Sequence, residues 1–172
     1  KVLFREKGAY PYVWRNCYKR AFLEKINILF DEEVKFAEDI IFQFQVFPFA
    51  ENIAFIEDKL YNYRISRPGS LMNTYNKNEE EKLNYHILIA KKISDYWVGN
   101  NLIEGNEVEY LHWIREYLLD KLYWWNCAYK GEKAKEISEL IEKCGLNAYI
   151  EDLGDDDRQQ FIKLKKWIKR YK

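Results

Sequence analysis

The chain is 172 residues long, 48% hydrophobic and 17% aromatic, with 28 basic and 28 acidic side chains that cancel to a formal net charge of +0. This is the size of one ordinary domain with enough apolar side chain for a core, which excludes a disordered polyelectrolyte. The neutral balance supplies no field for nucleic acid, which is not an expected partner.

No apolar run approaches the roughly 20 residues that cross a bilayer. Cys17, Cys127 and Cys144 are odd in number and lack metal-ligand spacing, so buried free thiols in a reducing compartment are expected rather than a disulfide framework. The sequence starts at Lys1, inside what reads as structured chain, and is expected to be a piece of a longer protein.

Gly8 and Pro11 disfavour a helix in residues 1–16, and the aromatic residues after them are expected to pair as a strand. Between Tyr18 and Asn27, Phe22 and Ile26 lie four apart with Leu23 beside them, while Lys19, Arg20, Glu24 and Lys25 take the other side: a short amphipathic helix. Ile28 to Phe30 reads as a brief extended piece.

Glu38 opens the next helix, in which Phe36, Ile40, Phe44 and Phe47 form an apolar stripe widened by Ile41 and weakened near its end by Pro48. Glu38 and Asp39 fall in its first turn, where the positive end of the helix dipole is expected to favour their ionised forms. A proton acceptor needs that state. Ile53–Ile56 and Leu60–Ile65 favour strands and predict a hairpin across Glu57-Asp58-Lys59. The second run delivers Arg64 into the loop Ser66–Ser70, where Pro68-Gly69 signals a turn.

After about residue 78 the pattern turns helical. Leu83, Ile87, Ala90 and Trp97 mark one face of a helix that fades near Gly99. Val108, Leu111, Leu118, Leu122 and Trp125 predict a second and longer helix reaching Gly131. Ile137, Leu140, Ile141 and Cys144 predict a third, capped by Gly145. Asp155, Asp156 and Asp157 precede a last helix over residues 158–171, its face of Phe161, Leu164, Trp167, Ile168 and Tyr171 opposed by Lys163, Lys165, Lys166, Lys169, Arg170 and Lys172. Such a helix either docks on its neighbours or lies on an anionic membrane surface, and docking is preferred. His86 and His112 stand singly on predicted helices and are expected to be structural.

Taken in order, VWRNCYKRAFL (Val13–Leu23), I-x-F (Ile28–Phe30), Glu38-Asp39 before an aromatic helix, LYNYR (Leu60–Arg64) and Ser70 resemble the C-terminal half of the catalytic domain of bacterial family 2 glycosyltransferases. The resemblance covers about residues 10–72. It implies an α+β fold, predominantly α-helical: residues 1–74 as the acceptor-side half of a GT-A catalytic domain with a few short strands, and residues 75–172 as a helical extension.

The implied activity is inverting transfer, of hexosyl type, from a nucleotide-diphosphate sugar to a saccharide or lipid-linked acceptor in cell-surface polysaccharide synthesis. The implied place is the cytoplasm or the inner face of the membrane. By position, Asp39 is the general base, Glu38 its neighbour, Trp14 an acceptor-side contact, and Arg64 and Ser70 neighbours of the donor diphosphate. Trp14-Arg15-Asn16 departs from the usual Trp-Asn-Lys of the family. The resemblance also implies a divalent metal, Mg or Mn, whose Asp-x-Asp ligands belong upstream of this sequence, so the fragment alone is expected to be inactive.

Asp155-Asp156-Asp157 matches Asp-x-Asp literally but lies after the Glu-Asp pair and reads as helix-start charge. Glu57-Asp58 and Glu151-Asp152 repeat the dipeptide without an aromatic helix behind them. A different class remains open: a non-catalytic helical module that binds a protein partner or membrane surface. Self-association of the fragment is a further expectation.

Overall fold

The computed structural model describes residues 12–65, 67–71, 79–116 and 132–171. The chain divides into two compact units, Val2–Lys82 and Leu83–Lys172.

The first described element of the first unit is a 3-10 turn, Val13–Arg15, where the sequence predicts a strand. Helix α1, Arg20–Ile26, follows and is closed by Asn27 at φ 50°, a left-handed conformation that asparagine tolerates better than most residues. Helix α2, Glu38–Val46, runs directly into a 3-10 turn over Phe47–Phe49 that accommodates Pro48 near its start. Ile28, Val34, Ile41, Phe42, Phe44 and Val46 are its buried apolar core.

The expected stripe on α2 is too narrow. Of Phe36, Ile40, Phe44 and Phe47 only Phe44 is fully buried, because rings also cover the neighbouring flank. Phe42 stacks on Phe30 at 4.3 Å between ring centres and takes the edge of Tyr18 at 5.7 Å.

Among the described residues no strand forms. Residues 51–65 are exposed throughout and carry no sheet pairing, so the expected hairpin is not seen. Strand preference is expressed only against a partner strand, and the described residues provide none. The predicted turn is present: Ser70 donates its amide to the Arg67 carbonyl at 3.2 Å, with Gly69 at φ 71° in the third position, as a type II turn requires.

The second unit is helical: α3 Glu79–Gly99, whose first turn belongs to the first unit, then α4 Glu107–Ile114, α5 Glu132–Lys143, a 3-10 segment Leu146–Asp152, and α6 Asp155–Tyr171. Ile87, Ala90 and Trp97 are buried on α3 as their spacing predicts, joined by Ile89 and Ile93. The predicted continuation of α4 from residue 117 to Gly131 lies outside the described residues. Gly145, at φ 65°, ends α5 and starts the 3-10 segment, which no 3.6-residue period announced.

The core here gathers around Tyr110. Its ring lies 5.2 Å from Trp97 and 5.6 Å from Trp113, and its hydroxyl is hydrogen-bonded to Ser94 Oγ at 2.5 Å. Phe161, Leu164 and Ile168 of α6 are buried, and α6 packs on α5 and on the 3-10 segment. Its apolar face is therefore covered within the unit, while Lys163, Lys165, Lys166, Lys169 and Arg170 stay exposed. Among the described residues no helix is long and apolar enough to cross a membrane.

Candidate active site

The acidic pair sits at an unusual helix start. Ala37, the residue before α2, adopts φ 59° and ψ 29° and makes no side-chain cap. An alanine there carries a steric cost of about 1–2 kcal/mol, because its Cβ crowds the next carbonyl. The kink places Glu38 and Asp39 in the first turn, with Asp39 half-buried against the first unit.

The Asp39 carboxylate is held by main-chain amides. Ile40 donates to Oδ1 at 2.9 Å, and the Val13 amide, in the turn packed on α2, adds a favourable electrostatic influence. Both favour the ionised form, as the helix start was expected to do. Burial opposes them more strongly, and the neighbouring Glu38 adds repulsion, so the carboxyl is pushed up from 3.8 to about 6. The expectation that the dipole governs this group is thus corrected: desolvation wins. Asp39 is still about nine-tenths ionised at pH 7. It holds a proton better than an ordinary carboxylate, as a general base should.

Trp14 lies in the 3-10 turn that packs on α2, the helix whose first turn carries this carboxylate. The indole stacks on Tyr61 at 4.6 Å and on Tyr63 at 5.1 Å, with planes 26° and 13° apart, and on Tyr12 at 5.3 Å. Tyr61 and Tyr63 turn the same way, as alternate residues of an extended stretch do. Arg64, the next residue, is exposed. Ser70 is half-buried at the end of the Arg67–Ser70 turn. The 3-10 turn with Trp14 thus packs on the helix that starts with Glu38 and Asp39, whereas Arg64 is the chain neighbour of Tyr63 and Ser70 sits in its own turn, neither with a hydrogen bond or ion pair to Asp39 among the described residues.

Two residues near Asp39 were missed from sequence. Tyr18, nearly perpendicular to Phe42, has its hydroxyl pushed up to about 12, first by burial and then by the charges of Asp39 and Cys17. Gln43, one turn after Asp39 on the same helix face, is 0% exposed, and neither end of its amide meets a hydrogen-bond partner among the described residues. Spacing from Asp39 could have flagged Gln43; nothing in the local sequence marks Tyr18.

Other candidates resolve into structure. Asp157 pairs with His112 Nδ1 at 2.7 Å and with Arg115, while Asp155 pairs with Arg158, so two of the three consecutive acids are engaged by basic side chains at the start of α6. His112 is therefore a tether. Cys17 is exposed rather than buried, and Cys144 is partly exposed; both are free thiols. A cleft of about 150 Å³ between α3 and α5, edged by Lys91, Asp95, Glu136, Glu139 and Lys143, is smaller than most ligand sites. Among the described residues no group of three or more His, Cys, Asp and Glu side chains converges as a metal cage.

A segment of 60 residues, 35% of the chain, is 45% identical to the uncharacterized glycosyltransferase EpsJ of Bacillus subtilis (strain 168). The matched part spans 17% of that protein's length. No family model matches the chain. No solved structure matches it. Part of this chain is therefore related to a curated glycosyltransferase.

Proposed function

We propose that residues up to about 74 are the acceptor-side half of a family 2, GT-A type glycosyltransferase domain, and that Asp39 is the base of an inverting sugar transfer in the full-length parent. The observation that carries this reading is the state of Asp39: half-buried, bonded by the Ile40 amide at the start of α2, and pushed up to about 6. The relation to a glycosyltransferase supplies the reaction class.

In this reading the acceptor hydroxyl donates its hydrogen bond to Asp39. The acceptor oxygen attacks the anomeric carbon of a nucleotide-diphosphate sugar, the carbon–phosphate-oxygen bond breaks, and the hydroxyl proton passes to the Asp39 carboxylate. The nucleoside diphosphate leaves with the electron pair. Arg64 offers its guanidinium fork to the diphosphate, and Ser70 a hydroxyl. The Glu38 charge keeps Asp39 basic through repulsion.

The proposed divalent metal, Mg or Mn, has no set of ligands among the described residues, and none of these steps is routed through it. Strands at 53–56 and 60–65 would form in the parent once partner strands are supplied. The acceptor, a saccharide or a lipid-linked saccharide of a cell-surface polymer, and hexosyl transfer are part of the same proposal, as is action at the cytoplasmic side of the membrane.

Product stereochemistry tests the mechanism. With the full-length parent and its donor, chosen from a panel of UDP-, GDP- and dTDP-sugars, proton NMR of the first product should show the anomeric configuration opposite to that of the donor. Retention would overturn single displacement with Asp39 as base.

A further inference from the structure

Four aromatic rings stand together where most proteins would bury them. Tyr12, Tyr61 and Tyr63 are 44%, 53% and 51% exposed, yet each is stacked on Trp14 at 4.6–5.3 Å with planes within 26° of parallel. Parallel rings held by one another form a stiff surface whose outer faces meet solvent and whose phenol tips stay polar. The 3-10 turn that carries Trp14 packs on α2, the helix whose first turn carries Asp39. The stack and the carboxylate therefore belong to neighbouring parts of one unit.

We propose that this aromatic stack is a saccharide platform: Tyr61 and Tyr63, backed by Trp14, take the apolar C–H face of a pyranose ring of the acceptor chain next to the unit whose hydroxyl reaches Asp39. This rests on the reading of Asp39 as the acceptor-side base. A sugar has the matching chemistry, an apolar ring face with a rim of hydroxyls, for rings that combine flat faces and phenolic tips. A lipid tail or the apolar face of a protein would leave those tips without partners. A nucleobase would also stack, but the platform adjoins the carboxylate that faces the acceptor hydroxyl.

Saturation-transfer NMR on this chain tests the platform without requiring turnover. The probes are tetrasaccharides of gluco, galacto, manno, rhamno and N-acetylglucosamine configuration, with UDP and GDP run separately. Transfer to ring C–H protons of at least one tetrasaccharide is expected, at least tenfold weaker binding in the double variant Tyr61→Ala/Tyr63→Ala, and binding retained within threefold in Tyr61→Phe/Tyr63→Phe.

Both tyrosines are exposed, and circular dichroism of each variant checks folding; the phenylalanine pair separates loss of the rings from loss of structure. No transfer to any tetrasaccharide, equal transfer in the alanine pair, or a tyrosine-dependent signal from UDP or GDP alone would each overturn the proposal. Self-association that vanishes in the alanine pair while no sugar binds would overturn it too, assigning the face to a second copy. If saccharide binding is seen and sugar transfer by the parent survives Asp39→Asn, the base assignment fails while the platform stands. If binding is absent and Asp39→Asn still abolishes transfer, only the platform fails.

Discussion

The main-chain amide of Ile40 donates to the carboxylate of Asp39 at 2.9 Å, at the start of the same helix on which the 3-10 turn carrying Trp14 packs. That amide favours the ionised form of a half-buried carboxylate, and the competition between main-chain amides and burial sets its proton affinity.

That competition predicts a pH-dependent stability effect. A carboxyl that titrates near 6 when folded and near 3.8 when unfolded is favourable in its protonated form. Its contribution is complete below the unfolded value and is lost as pH rises through the folded value. Asp39→Asn should therefore stabilise the chain by about 1–3 kcal/mol at pH 7, with the difference vanishing below about pH 4. Urea unfolding of both proteins at pH 4 and pH 7 measures this. A variant less stable at pH 7 would show that the carboxylate is a net structural asset.

Ala37 offers a second test. With φ at 59°, its Cβ is strained, and Ala37→Gly removes the clash while adding freedom to the unfolded chain. The balance should be about 0.5–1 kcal/mol of stabilisation, read as a raised urea midpoint at unchanged slope. A lowered midpoint would mean that the methyl group contributes more through packing than the left-handed turn takes away.

In the helical unit, Asp157 joins α4 to the start of α6 through His112 and Arg115. The Asp157 and Arg115 side chains are only 14% and 18% exposed, so Asp157→Ala should cost about 2 kcal/mol by removing the shared partner of His112 and a mostly buried guanidinium. Asp156→Ala, at an exposed neighbour, should stay within about 0.5 kcal/mol. Denaturation at pH 7 compares them, and equal effects would reduce the Asp157 pairs to surface decoration.

Helices were the most legible part of this sequence, since their signals are local. The faces of α3, α5 and α6, the Gly145 cap and the Pro68-Gly69 turn all follow from spacing and backbone preference. The strand signals at 53–56 and 60–65 were real preferences without a described partner, and sheet formation is a pairwise event. The placement of Glu38-Asp39 at a helix start was readable, but the raised proton affinity of Asp39 was not, because burial is set by residues distant in sequence. Trp14 was found through resemblance, whereas its stack with Tyr61 and Tyr63 needed the fold to bring residues 14 and 61–63 together. Gln43 escaped notice because a polar residue in an aromatic helix reads as solvent-facing, and here it is the reverse.

Asp39 as the base is tested by kcat/KM for sugar transfer by the full-length parent across pH 4.5–8, with wild type beside Asp39→Asn. A wild-type acidic limb that rises with pH through about 6 is expected, as Asp39 gives up its proton. The variant should fold normally, lose that limb and fall by about 10²–10⁴-fold. An Asp39→Asn protein that transfers sugar within a few-fold of wild type, with the same limb, would show that another group takes the proton.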